Sequence, residues 1–370
     1  MKIGFIGLGL IGGSIAKALS KIKQTSPEQP LYEIIAYDTD ANISQLQKAL
    51  SDNVIDLISH NFEVDFQNCD IIFLCAPVHI NVGYLTRLQS IISDRCIITD
   101  VGSVKTLMHE KVKELGLSHQ FIGGHPMAGS ERSGYENSSE RLLENAYYIL
   151  TPTSEVSNEN IQRLTQFVTT IKAIPLLLDY KEHDQITAAI SHIPHIIAAL
   201  LVNLVKDSDD EAEKMRMLAA GGFKDITRIA SSSPTMWQSI CLSNSDSIIE
   251  QLRNFQASIQ NVIQAIKTKD SDYIYRTFDD AGTYRSSIPN NKGLLNRFFE
   301  LFLDISDEPG AIAIIATVLG SNGISIKNIG IIHNREFEDG VLRIELYEEE
   351  ALNKALRILK AHNYTICERK

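Results

Sequence analysis

One histidine in this chain is held stiffly by its neighbours. His125 lies in FIGGHPMAGSERSG, residues 121–134, after two glycines and before Pro126. Proline disfavours helical backbone at the residue before it, so His125 is expected to be extended, with its imidazole aimed. Imidazole is the side chain suited to exchanging a proton near neutral pH. The same spelling also fits a plain strand-to-loop exit, so a chemical role needs company. Ser103, in DVGSVK, reads either as a hydrogen-bonding partner at a shared site or as the N-cap of a helix beginning near Val104. Thr187, Ser191 and His195 fall at i, i+4 and i+8 of an otherwise apolar helix. Such a polar stripe must find hydrogen bonds, from a neighbouring helix or subunit or from a polar ligand. Pro194 removes the amide that would bond the Ile190 carbonyl, so a kink is expected beside the stripe. Asp225 and Arg228 stand three apart in AAGGFKDITRIASSSPTMW, either as an exposed ion pair or with Arg228 presented to a carboxylate.

These groups need a scaffold that brings them together. Short apolar runs at 3–6, 33–37, 71–74, 96–99, 121–122, 147–150 and 174–178 read as strands separated by helical patterns. That alternation predicts an α/β fold with a parallel, doubly wound sheet over residues 1–178. Gly7-Leu8-Gly9-Leu10-Ile11-Gly12 lies directly after the first strand and before the first helix, a GxGxxG in the context that makes it informative. Gly7 allows the tight turn, Gly9 the approach of a pyrophosphate, and Gly12 close packing of helix on strand, while Leu10 and Ile11 open the helix whose N-terminus faces the phosphates. Asp38 ends the second strand, where a carboxylate accepts ribose hydroxyls and repels a 2′-phosphate, so the expected cofactor is NAD. From residue 179 to 290 the strands give way to long helical patterns, a second, all-helical domain. After the linker-like SSIPNNKGLLN, residues 296–370 spell βαββα, a small ferredoxin-like sheet with helices on one face.

Composition narrows the partners. The net charge of −11 is spread over many segments with no basic run, which disfavours nucleic acid and anionic membrane. The run IPHIIAALLVNLV, Ile193 to Val205, is shorter than the roughly 20 residues of a membrane span. No signal-peptide pattern opens the chain, and the five cysteines form no CxxC or Cys/His cluster, so a reducing cytoplasm and no metal are expected. The long apolar helices of the second domain predict a homodimer.

Five motifs in order, GLGLIGGS, DVGSVK, GGHPMAGSERSG, SHIPH and GGFKDITRIASSSPTMW, resemble the prephenate dehydrogenase family over residues 1–290. The DISDEPGAIAIIATVLGSNGISI stretch is similar to an ACT domain, an amino-acid-sensing module, although Ser325 stands where such domains often carry Asn. The resemblance implies NAD-dependent oxidative decarboxylation of prephenate to 4-hydroxyphenylpyruvate, toward tyrosine. It implies His125 as base on the ring hydroxyl, Ser103 orienting it, Arg228 on a substrate carboxylate, and Ser191 and His195 facing the pyruvyl side chain. Glu131 matches a position that gates the site, and Trp237 one that reaches a neighbouring subunit's pocket. L-Tyrosine is the implied feedback effector, near Gly310 and Ala311. Two other readings stand beside this one: an arogenate dehydrogenase, and a non-catalytic sensor of NAD and an amino acid.

Overall fold

The computed structural model describes residues 1–25, 32–130, 132–288, 299–305, 308–332, 340–362 and 364–366. Glu131, Cys367 (the last of the five cysteines) and most of the 286–296 linker lie outside those residues. The chain divides into two compact units, Met1–Gly293 and Leu294–Lys370.

In the first unit, strands β1 (Lys2–Ile6), β2 (Glu33–Tyr37), β3 (Leu57–Ile58), β4 (Ile71–Leu74) and β5 (Ile97–Asp100) form a parallel sheet in the order β3-β2-β1-β4-β5. Alternate side chains leave opposite faces of a strand. Accordingly Ile3, Phe5, Ile71 and Phe73 enter one core, and Ile6, Ile72, Leu74 and Ile98 enter the other, as a sheet covered on both faces requires. The order reverses between β1 and β4, and the loops carrying Gly7 and Cys75 meet there. Gly7 takes φ +88°, and a Cβ on it would meet the Ala76 amide nitrogen at 2.9 Å. Gly12 lies in the first helix, Leu10–Thr25, where a Cβ would approach the Gly7 carbonyl at 2.8 Å. Both glycines are therefore required by close backbone approach.

A second sheet differs from the uniformly parallel expectation. Strands β6 (Ile122–Pro126), β7 (Tyr147–Pro152) and β8 (Ile174–Leu177) lie in the order β6-β7-β8, with β6 antiparallel to β7. A parallel bridge from Ile98 to Phe121 continues the first sheet into the second. His125 is thus not on the loop after the strand but within it, paired with Ile149. The two glycines before it serve packing: a Cβ on Gly124 would stand 2.5 Å from the Asp100 carbonyl oxygen and 3.0 Å from Tyr148, and one on Gly123 would press on Lys105, His109 and Thr151.

The helical part fastens onto this layer rather than folding apart from it. One continuous helical rod runs from Tyr180 to Ser208, with a π turn at Ala188–His192 between two α segments. Pro194 occupies the first turn of the second segment, so the missing amide is absorbed by a widened turn instead of the expected kink. This rod is long and apolar enough to cross a membrane by length and composition, although the run Ile193 to Val205 within it is not. Its first turns carry buried His183 and Asp184, which bond into the sheet domain. Helices Pro234–Ser243, Ser245–Thr268 and Ser271–Ser287 complete the unit.

The second unit has the predicted βαββα order. Strands β9 (Phe299–Ile305), β10 (Ile326–Ile332) and β11 (Gly340–Leu346) form an antiparallel sheet, β10-β11-β9, with helices Ala311–Ser321 and Glu349–Ala361. Leu303, Ile315, Leu342, Ile344 and Leu359 fill its core. Gly310, at φ +92°, precedes the first of these helices.

Because the Asp100 carbonyl is backbone and cannot swing aside, Gly124→Ala should lower unfolding free energy by about 3 kcal/mol in a denaturant titration. Gly83→Ala, in a helix with nothing within 4 Å of the new methyl, should leave stability unchanged or slightly raised. Equal effects of the two substitutions would contradict the packing account.

Candidate active site

Two cavities open along the carboxyl ends of the strands, where α/β sheets bind ligands. The first, about 300 Å³, is lined by Gly7, Gly9, Asp38, Ala76, Pro77 and the Ser133–Gly134 loop, among others. Nothing stands within 4 Å of a Cβ built on Gly9, so backbone is bare to a ligand there, directly before the N-terminus of the Leu10–Thr25 helix. Leu10 and Ile11 lie in that first turn. Asp38 is oriented by three donors: the amides of Leu8 at 3.2 Å and Thr39 at 2.8 Å, and the Asn42 side chain at 2.9 Å. These features fit a dinucleotide, with phosphates at the helix end and a ribose at Asp38.

The second cavity, about 220 Å³, brings together Ser103, His125, Thr187 and Ser191 with one residue not singled out in the sequence, His192. Behind His125 runs a buried chain. Its Nδ1 lies 2.8 Å from His183 Nε2, and His183 Nδ1 lies 2.8 Å from Asp184 Oδ1. Asp184 also accepts the backbone amides of Lys105 and Thr106, each at 2.8 Å, and so caps the helix Thr106–Glu114. The N-cap position is therefore Lys105, not Ser103, and its cap comes from a carboxylate far along the chain rather than from the local hydroxyl. Lys105 is itself buried. Its ammonium group donates to the Asp100 carboxylate and, at 2.7 Å, to the Gly124 carbonyl. The Gly124 amide returns a bond to Asp100 at 3.2 Å.

Electrostatics follow from this burial. Desolvation, then the positive potential of His183, Lys105 and His192, pushes the His125 pKa well below the ordinary imidazole value. His192, also buried, is lowered to about 4. Burial works against the charged form of Asp184, but hydrogen bonds from His183, Thr106 and Lys105 outweigh it and hold the carboxyl below its usual range. Burial lowers the Lys105 ammonium, and Asp100 offsets part of that.

These contacts fix a tautomer. A carboxylate only accepts, so His183 Nδ1 carries hydrogen and its Nε2, in the neutral ring, accepts. His125 Nδ1 must then donate, which leaves His125 with a bare Nε2. A bare imidazole nitrogen at a cavity wall can accept a proton from a group bound beside it.

The predicted polar stripe is split. The π turn rotates the helix so that Thr187, Ser191 and His192 line the His125 cavity, while His195 lines a neighbouring one of about 490 Å³ with Asn203, Ser232 and Trp237. Trp237 stacks on His195 of its own chain, centroids 4.1 Å apart, and sets its edge to His192 at 6.0 Å. Its indole N–H is buried without a hydrogen-bond partner among the described residues. Arg228 is exposed, because the helix Gly221–Thr227 ends before it and a 3₁₀ turn, Arg228–Ser231, takes over; it is not among the lining residues of either cavity. The sequence reading missed His183, Asp184 and Lys105. An adjacent His-Asp pair at the entry to an apolar helix was the signal available.

Comparison with known proteins matches this layout. A family model described as the nucleotide-binding domain of prephenate dehydrogenase matches residues 24–176, and one described as its dimerization domain matches residues 179–280. A prephenate dehydrogenase of Bacillus subtilis is 37% identical over 358 residues, covering 96% of this chain and 94% of its own. The crystal structure of prephenate dehydrogenase from A. aeolicus with hydroxyphenyl propionate and NAD+ superposes with a TM-score of 0.70 at 28% identity, covering 78% of this chain and 98% of its own. A Synechocystis arogenate dehydrogenase gives 0.69 at 28% identity, covering 78% of this chain and all of its own. The chain therefore belongs to the prephenate dehydrogenase family, NAD-dependent oxidoreductases built from the nucleotide-binding sheet and the helical domain described above.

Proposed function

We propose that this chain converts prephenate to 4-hydroxyphenylpyruvate and carbon dioxide, with His125 as the general base. The observation that carries the reading is His125 in a cavity shared with Ser103 and Ser191, with its Nδ1 occupied by the buried His183–Asp184 pair. When bound in the Gly7–Asp38 cradle, NAD+ supplies the hydride acceptor. The protein's part is to hold the substrate's ring hydroxyl against His125 Nε2, with Ser103 as second hydrogen-bonding partner, and to take its proton as the carbon is oxidised. Loss of carbon dioxide then restores aromaticity and asks little of the protein. Ser191 meets the substrate from the helical side, and the Trp237–His195 cavity next to His192 receives its side chain. We assign Arg228, next in the chain to Ile229 and Ala230 of the Trp237–His195 cavity, to a substrate carboxylate. Glu131 is retained as a gating residue on the family resemblance alone.

The arogenate reading keeps the same ring chemistry and differs at the side chain. The Synechocystis enzyme's likeness to this chain keeps it in view, and kcat/KM on the two substrates separates the readings. A non-catalytic sensor is disfavoured by the intact base and its buried support.

We further infer a homodimer formed by the helical domain, since Leu200, Leu204, Leu218, Leu242 and Ile266 are exposed on its helices and the family model there is a dimerization domain. The βαββα unit we read as an ACT domain that binds L-tyrosine near Gly310 and Ala311 and lowers activity.

His125→Asn should reduce kcat by about 10²- to 10⁴-fold in NADH formation at 340 nm, with KM for NAD+ little changed. An unchanged kcat removes His125 as base. Because the imidazole pKa is depressed, the base stays unprotonated as pH falls past 6.5, and kcat should decline only well below that value. Light scattering should return the mass of a dimer, and added L-tyrosine should inhibit turnover; a monomer, or activity indifferent to tyrosine, overturns the corresponding reading.

A further inference from the structure

We propose that the proton taken from substrate is stored on His183 and then given back to the product. This rests on the reading of His125 as base and adds the fate of its proton. The overall reaction, prephenate and NAD+ to 4-hydroxyphenylpyruvate, carbon dioxide and NADH, neither releases nor consumes a net proton. The ring hydroxyl loses its proton when its carbon is oxidised to a ketone, and the phenolate formed on decarboxylation needs one. A proton held in the protein between the two steps closes that balance.

The buried chain is built to hold it. His125 Nε2 accepts the hydroxyl proton as the O–H bond breaks. His125 Nδ1 releases its own proton across 2.8 Å to His183 Nε2, so His125 is again neutral and His183 becomes imidazolium. That cation lies 2.8 Å from Asp184 Oδ1. The groups facing the pair are Asp184 on the same helix, His192 on the π turn, and Lys105 with Asp100 under Gly124. Asp100 and Asp184 set two carboxylates against the one ammonium of Lys105, so the buried group has room for one more positive charge. His183 is fully buried, which keeps water from taking the proton. The return path is the same two transfers reversed, ending on the phenolate oxygen.

His183 is a positioning and proton-holding residue acting through His125, and two substitutions separate these parts. His183→Gln keeps an acceptor for His125 Nδ1–H but cannot take the proton, whereas His183→Leu removes both. In folded protein, verified by an unchanged thermal midpoint within a few degrees and by NAD+ binding, kcat should fall roughly 100-fold for Leu and roughly 10-fold for Gln, with KM values little altered. A Gln variant as active as the parent overturns proton storage, and so does a fully active Leu variant. If either occurs while His125→Asn is inactive, the base assignment stands and only the store is lost.

Discussion

The Asp184 carboxylate is the constraint on which the site depends. It is buried, it arises from the helical half of the first unit, and it accepts the backbone amides of Lys105 and Thr106, 79 and 78 residues earlier in the chain. Leaving one such buried donor unpaired costs about 1–3 kcal/mol, so docking of the helical rod against the sheet is specified by a few hydrogen bonds and not by apolar packing alone. The same oxygen that caps Lys105 also accepts the hydrogen bond of His183 Nδ1. Assembly of the two halves and the tautomer of the His183–His125 pair are thus tied to one side chain. That explains why the sheet and the helices form a single compact unit.

From that anchor the site builds outward. Lys105 is drawn under Gly124 by its bonds to Asp100 and to the Gly124 carbonyl, and the absent side chains at Gly123 and Gly124 let β6 lie flat over it. His125 is then presented from a strand, a stiffer mount than a loop, with its outer nitrogen in the cavity. On the other wall, the π turn brings Ser191 and His192 round to the same space. The cavity fitted to a dinucleotide lies on the same edge of the sheet, with Ser133 and Gly134 in its lining and Pro126 to Gly129 in that of the His125 cavity. An imidazole that burial keeps neutral suits a base, and a carboxylate two rings away suits the charge that base creates.

Features whose physics is local were legible in the amino-acid order. GxGxxG, the strand-ending Asp38 and the alternation of apolar runs required only neighbouring residues, and the structure forms them where they were read. Asp38 even lies 26 positions past Gly12, beyond the usual ~20, without leaving the strand end. What could not be read was long-range or depended on a single irregular turn. His183 is 58 residues from His125, and nothing in the composition of either segment announces the pairing. Ser103 looked like a helix cap because local caps are common, yet the cap is supplied by Asp184. Regular α-periodicity placed His195 beside Ser191, but a π turn shifts every later residue around the axis, so the two face different cavities. Arg228, expected in an ion pair with Asp225 or at a carboxylate, is found on the 3₁₀ turn that follows the helix Gly221–Thr227.

The central claim is that the buried chain from Asp184 fixes His125 with hydrogen on Nδ1 and a bare Nε2. Nitrogen-15 NMR of protein labelled in its histidine rings reports this directly, because protonated and bare ring nitrogens resonate in separate regions. The account predicts a His125 ring with Nδ1 protonated and Nε2 bare at pH 7, coupled through one hydrogen bond to a His183 ring of the same tautomer. A His125 ring protonated at Nε2, or cationic at that pH, would contradict it.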